Sequence, residues 1–303
     1  MSKKVLITGA SGLLGRSLVR QFESNGWEVL GTAFSRATGS LRKVDLRDET
    51  STNRLLDDFS PSIIVHSAAE RRPDVVERNE TETTRINVDA TTTLAKYTAK
   101  HAPRTSTIYL STDYVFDGTH PPYAPTDEPN PLNKYGISKL ASERAAQRHD
   151  PSAIVLRVPV LYGRVETLAE SAVTVLLDAV ARVEKPAVMS DYERRYPTSV
   201  DDVAVVCRQI ADKRLVGSDS VRGVYHWSGP DEMTKYDMAV EMAKLFDLPA
   251  EHVVANKEPS KGAPRPYNSQ LDTSRLEELG IGQKTSFQDG ILSLKENLLS
   301  KLG

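Results

Sequence analysis

Apolar and polar positions follow two alternating regimes along the first half of the chain. Residues 5–7 form a short, wholly apolar run closed by a glycine-containing turn. Residues 13–22 then place apolar side chains at helical spacing. Residues 27–33 predict a second strand and 62–66 another. A long helix over 83–101 precedes a further strand at 106–111. Strands that are apolar throughout and separated by helices are covered on both faces, which makes the sheet parallel. The predicted fold class is α/β, a doubly wound parallel Rossmann sheet.

The strand signal returns at 153–157 and then loses regularity. Helices are predicted near 168–183, 201–214, 234–247 and 286–299, with short strands such as 223–227 between them. Proline and glycine gather at 259–266 in a loop, and no internal repeat or low-complexity tract is present. The pattern divides the chain into a dinucleotide-binding Rossmann domain over 1–160 and a smaller C-terminal α/β lobe over 161–303. That lobe is expected to cap the sheet's carboxyl edge and bind substrate there, with part of the chain crossing back to the sheet.

Composition narrows the classes of function. A net charge of −2 offers nothing to nucleic acid or to an anionic membrane, so neither partner is expected. The one cysteine, Cys207, excludes an internal disulfide, and its apolar neighbours make it a core thiol rather than a nucleophile. The six histidines show no paired helical spacing, so no zinc site is expected. The first residues run into a strand without an apolar signal core, and no apolar run reaches the roughly 18 residues of a membrane span. A cytoplasmic location, or a nuclear one, is the expectation.

The first chemical signal is the stretch from Thr8 to Gly15, TGASGLLG, which joins the first strand to the first helix. Gly9 permits a tight turn, Gly12 a close backbone approach to a pyrophosphate, and Gly15 close helix–strand packing. The helix N-terminus offers free N–H groups to phosphate, and Ser11, Leu13 and Leu14 share that loop. An NAD site carries an acidic residue at the end of the second strand, whereas Phe34, Ser35 and Arg36 stand here, with Arg16 after the last glycine. A hydroxyl and two guanidinium groups suit a 2′-phosphate, so NADP is the expected cofactor.

The second signal is Tyr135 and Lys139, a YxxxK pair that lies on one helix face. In a reductase the tyrosine protonates the developing alkoxide, while the lysine favours the tyrosinate and holds the nicotinamide ribose. Thr112, at a strand end, would hydrogen-bond the same substrate oxygen. Asp201 and Asp202 read as helix-start carboxylates rather than metal ligands. Arg194 and Arg195 either face an anionic ligand or are solvated, and Tyr192, Tyr196 and Trp227 line a cleft or pack in the core.

With these residues in place, the chain resembles the extended short-chain dehydrogenase/reductases over its full length, in the branch containing dTDP-4-dehydrorhamnose reductase. The signatures are STDYVFDG at 111–118, PLNKYG at 131–136 and RPYNSQLD at 265–272. A narrower resemblance is to the regulatory β-subunit family of methionine adenosyltransferase. It rests on HSAAERRPDVVE at 66–77, ESAVTV at 170–175, VAVVCRQ at 203–209, HWSG at 226–229 and LGIGQ at 279–283. The resemblance implies that Phe34 to Arg36, Asp45, Leu46, Ser67, Arg71, Tyr135 and Leu161 line an NADP site, with Ala68 and Ala69 in its small-residue wall. It further implies a catalytic partner that makes S-adenosylmethionine from methionine and ATP. The alternative it leaves open is an NADPH-dependent reductase of a nucleotide-linked 4-keto sugar. Against that alternative, Glu70 to Pro73 (ERRP) replace the small and aromatic residues of the sugar reductases beside the nicotinamide. Animal members of the β-subunit family end in an aromatic and basic tail, whereas Phe287 is the last aromatic here. If that tail is needed for docking, a partner here is engaged through other surfaces.

Overall fold

In strand β1 (Lys4–Thr8), Val5 and Ile7 point to one face of the sheet and Leu6 to the other, and both faces are buried. The computed structural model describes residues 2–101, 104–217 and 221–302. After β1 come β2 (Glu28–Ala33), β3 (Arg42–Lys43), β4 (Ile63–His66), β5 (Ser106–Thr112) and β6 (Ile154–Val158). With the later strand Gly223–His226 they form a seven-stranded sheet, ordered Gly223–His226, β6, β5, β4, β1, β2, β3. Every pairing in it is parallel, so all carboxyl ends share one edge. The order reverses beside β1, which opens a crevice at that edge where ligands bind in such sheets.

One face packs against helices Leu13–Glu23 and Val200–Leu215 through Leu18, Phe22, Val203, Val206, Cys207 and Ile210. The opposite face holds Leu6 and Ile64 against Leu56, Leu94 and Tyr97 from helices Glu49–Phe59 and Ala90–His101. Each such side chain contributes roughly 1.5–3 kcal/mol by leaving water. A second core lies past β6, where Tyr162, Val173, Leu177, Met189, Met242, Phe287 and Ile291 meet. Asp202 joins the two cores, accepting hydrogen bonds from the Thr285 N–H (2.7 Å), the Thr285 hydroxyl (2.8 Å) and Gln283 (3.1 Å). Asp201 reaches Arg20 (3.2 Å) and the Ser17 hydroxyl. The cap of that helix is Ser199, so both carboxylates join elements rather than cap one. Among the described residues no helix is long and apolar enough to cross a membrane.

The structure departs from the helical periodicity at three places. The helix over 83–101 contains a π turn, Arg85–Asp89, which lets the buried Asn87 side chain pair with the Glu70 backbone and with Ser138. The helix over 168–183 shrinks to Val175–Ala181. Ser171 is extended and bonds the Leu161 carbonyl (2.6 Å) and the Val173 N–H (3.0 Å), a side-chain competition that breaks the helix. The stretch 286–299 splits into Phe287–Ser293 and Lys295–Leu299. Helix Glu49–Phe59 carries too few apolar positions to stand out in the sequence, and the strands Ala187–Ser190 and Val253–Asn256, four residues each, are too short to.

His66 lies between the Thr8 (2.7 Å) and Thr91 (3.1 Å) hydroxyls, and His226 is equally buried. Burial holds both near pKa 3 against an ordinary 6.5, helped by the charges of Lys139 and Arg157 respectively. The unfolded chain takes up these protons below 6.5 and the native state does not, so stability falls as pH drops from 6.5 toward 3. Melting temperature measured from pH 7.5 to pH 4 should decline, and less steeply in a His66→Gln/His226→Gln variant. Identical slopes would contradict this origin.

Candidate functional site

The turn after β1 is built so closely that glycine is required twice. Gly9 has φ +68° and a Cβ there would sit 2.9 Å from the Ala68 Cα, while a Cβ at Gly15 would overlap the Gly9 carbonyl oxygen. No side chain caps helix Leu13–Glu23 at Gly12, which leaves its first-turn N–H groups to a ligand's oxygens. A cleft of about 520 Å³ opens over this turn at the carboxyl edge of the sheet. Gly9, Ser11, Gly12, Leu13, Leu14 and Gly15 line its middle, and Phe34, Ser35, Arg36, Asp45 and Leu46 line it on the β2 side. Ser67, Ala68, Ala69, Arg71, Leu161, Thr112, Tyr135 and Lys139 continue it past β4 and β5.

Among the residues expected at the cofactor, Arg16 alone does not line the cleft. Its guanidinium grips Glu170 (2.6 and 3.2 Å) and the carbonyls of Ser11 and Arg164. Arg36 lies in the cleft wall and also meets Glu170 (2.9 Å) and Glu166 (3.1 Å). Phe34 is 52% exposed, with the Arg47 guanidinium 5.1 Å from its ring. Arg47 clamps Asp45 through two bonds of 2.8 Å and so holds that carboxyl below the usual range.

Past β5, Tyr135, Lys139 and Glu143 share one face of helix Lys134–His149, one turn apart. Burial pushes the Tyr135 hydroxyl above its ordinary pKa, with the Thr112 hydroxyl drawing it back, so it stays protonated at neutral pH. Lys139 donates to the Leu110 carbonyl (2.7 Å), and burial brings it down to about 7. Glu143 forms a buried pair with Arg157 (2.7 Å) and accepts the Ser111 hydroxyl, which locks the helix face against β5 and β6. The arrangement gathers two hydroxyls, from Thr112 and Tyr135, at this end of the cleft, with the Lys139 amine on the same helix face as Tyr135.

Arg47 lines the cleft with no motif of its own, and Asp113 and Tyr114, within the signature at 111–118, line it without having been singled out. Arg71 reaches the Glu170 backbone carbonyl. Arg195 is 5% exposed, its guanidinium 5.3 Å from the Tyr114 ring, and its Nη1 has no hydrogen-bond partner among the described residues. Arg194 instead sits near Glu232 (3.9 Å). Tyr192 meets the Tyr267 ring at 5.0 Å, whereas Tyr196 and Trp227 are buried. Among the described residues, no group of three or more His, Cys, Asp or Glu could hold a metal ion.

This fold and this strand-edge site define a Rossmann protein of the reductase and epimerase build. Residues 3–299 match the family described as RmlD substrate binding domain. The chain is 50% identical over 298 residues to methionine adenosyltransferase 2 subunit beta of Bos taurus, covering 98% of this chain and 87% of that one. It is 30% identical to dTDP-4-dehydrorhamnose reductase of Aggregatibacter actinomycetemcomitans, covering 96% and 98%. In three dimensions it is similar to dTDP-4-dehydrorhamnose reductase of Bacillus anthracis in complex with NADP, with a TM-score of 0.84, 22% identity and 98% of each chain covered. The chain belongs to the RmlD substrate binding domain family and, within it, to the methionine adenosyltransferase 2 beta subunits.

Removing one partner of the buried Glu143–Arg157 pair leaves the other charge unpaired, at a cost of about 3–5 kcal/mol. Urea unfolding of Glu143→Ala should show that loss, with the double variant Glu143→Leu/Arg157→Met recovering much of it. A loss below about 1 kcal/mol would mean that the pair does not anchor the helix.

Proposed function

We propose that this chain is an NADP-binding regulatory subunit that assembles with the catalytic subunit of methionine adenosyltransferase and modulates S-adenosylmethionine synthesis in the cytoplasm. The observation that carries the reading is the half-identity to the beta subunits, which runs through both lobes rather than the cofactor fold alone. In this reading residues 1–160 hold the dinucleotide and 161–303 form the smaller lobe that closes over it. The glycine turn accepts the diphosphate where a Cβ would collide, and Ser35 and Arg36 receive the 2′-phosphate.

When bound, NADPH supplies a hydride for a carbonyl carbon. Thr112 and Tyr135 would orient the carbonyl oxygen, Tyr135 would give up its proton, and the Lys139 charge would favour the resulting tyrosinate. A second reading, reduction of a nucleotide-linked 4-keto sugar, is favoured by that intact set and by the buried Arg195 near Tyr114, whose Nη1 has no hydrogen-bond partner among the described residues. It ranks below the first because the identity to the beta subunits, 50%, exceeds the 30% to the sugar reductase.

Mixing the purified chain with the catalytic subunit should give a co-eluting complex with an altered rate of S-adenosylmethionine formation. Separate elution and an unchanged rate, with and without NADPH, would overturn the reading. In calorimetric titration NADP should bind more tightly than NAD. Arg36→Ala should weaken NADP about tenfold and leave NAD nearly unchanged, the loss expected for one charged hydrogen bond. Equal losses for both would make Arg36 structural. If the chain oxidises NADPH with a nucleotide-linked 4-keto sugar, Tyr135→Phe should abolish the turnover, and activity that survives would place the chemistry elsewhere.

A further inference from the structure

The two arginines that the sequence offers to a 2′-phosphate both face the same carboxylate. Glu170 ends a single 3-10 turn, Leu168–Glu170, on the segment that departs from helical periodicity. Its Oε1 lies 2.9 Å from Arg36 Nη1 and its Oε2 lies 2.6 Å from Arg16 Nη2. The Glu166 N–H donates to the same Oε2 (2.9 Å), and Arg71 donates to the Glu170 backbone carbonyl. The Glu170 side chain is only 11% exposed, so this is a fitted contact rather than a solvated pair. Burial would raise its pKa, but hydrogen bonds from Arg16, Glu166 and Arg36 prevail and hold it at about 2. It is therefore an anion throughout the physiological range.

We propose that Glu170 is the residue that sets cofactor preference in this cleft, because its carboxylate already occupies the arginine that a 2′-phosphate must bind. The proposal deepens the dinucleotide reading above and rests on it. A 2′-phosphate on Arg36 would lie within a few ångströms of this carboxylate, and like charges at that distance repel. Glu170 must then turn off Arg36, while Arg16, which holds both carboxylate oxygens, can keep it. A ribose 2′-hydroxyl makes no such demand, since it donates a hydrogen bond to the carboxylate where it stands. Glu170 thus supplies, from a segment more than a hundred positions away, the acidic group that the end of β2 lacks. Its effect is to narrow the discrimination that Arg36 and Ser35 would otherwise impose, so NAD remains a usable ligand.

The test is calorimetric titration of wild type and Glu170→Gln with NADP and NAD, repeated with 2′,5′-ADP and AMP as probes of the adenosine end. Glu170→Gln should tighten NADP and 2′,5′-ADP about tenfold, as expected on removing one like charge, and should not tighten NAD or AMP. In an Arg36→Ala background the same substitution should change the NADP-to-NAD ratio less than it does in the otherwise wild-type chain. A ratio unaltered by Glu170→Gln in the otherwise wild-type chain, or equal weakening of both cofactors, would make Glu170 a strut and overturn the proposal. If Glu170→Gln does not fold, Glu166→Gln takes its place. Glu166 also meets Arg36 (3.1 Å), and its loss should shift the ratio the same way by about two- to threefold. No shift there overturns the proposal as well. A wild type that binds neither dinucleotide defeats the dinucleotide reading and this proposal together. A wild type that binds both, with an unchanged ratio in the variant, defeats only the role of Glu170.

Discussion

The close contact between the turn after β1 and the end of β4 is the constraint on which the site depends. Gly9 is left-handed and abuts the Ala68 backbone, while Gly15 lets the first helix begin directly over the Gly9 carbonyl. Any side chain at either position would push the helix off the sheet and move its N-terminus away from the crevice. With the turn fixed, β2 carries Phe34 to Arg36 to one side of the helix start, and β4 and β5 carry Ser67 and Thr112 to the other. A single elongated cleft is the geometric result of parallel strands that reverse their order beside β1.

The far end of that cleft is held by a different kind of force. Tyr135 and Lys139 are placed by the Glu143–Arg157 ion pair, which sits one turn further along the same helix face, inside the protein. Buried ion pairs contribute little net stability but make misplacement costly, because each charge must find its partner. The π turn at Arg85–Asp89 adds a second restraint by pinning the loop before Arg71 through Asn87. Rigid support of this kind preserves the Thr112, Tyr135 and Lys139 geometry whether or not the protein turns over a substrate.

Much of this was legible in the chain because the signals are local. Continuous apolar strands, the TGASGLLG turn and the Tyr135–Lys139 spacing each declare themselves within a few residues, and the structure gathers these positions in one cleft. What the sequence hid is long-range pairing. Arg16 reads as a phosphate ligand from its place after Gly15, yet it is bound to Glu170, which lies 154 positions along the chain. Arg47 gives no motif because its role is to clamp Asp45 and cover Phe34. The predicted helix over 168–183 failed because Ser171 and Thr174 bond the backbone instead, and periodicity does not register that competition. Arg195 was visible only as one of two adjacent arginines; its burial beside Tyr114 is a tertiary fact.

The central claim is that one cleft, from Arg36 to Tyr135, holds a whole dinucleotide. A crystal structure of the protein grown with NADP tests it most directly. The account predicts the 2′-phosphate on Arg36 and Ser35, the diphosphate at the start of helix Leu13–Glu23, and the nicotinamide beside Thr112 and Tyr135. Density for the cofactor outside this cleft, or a 2′-phosphate turned away from Arg36, would contradict it.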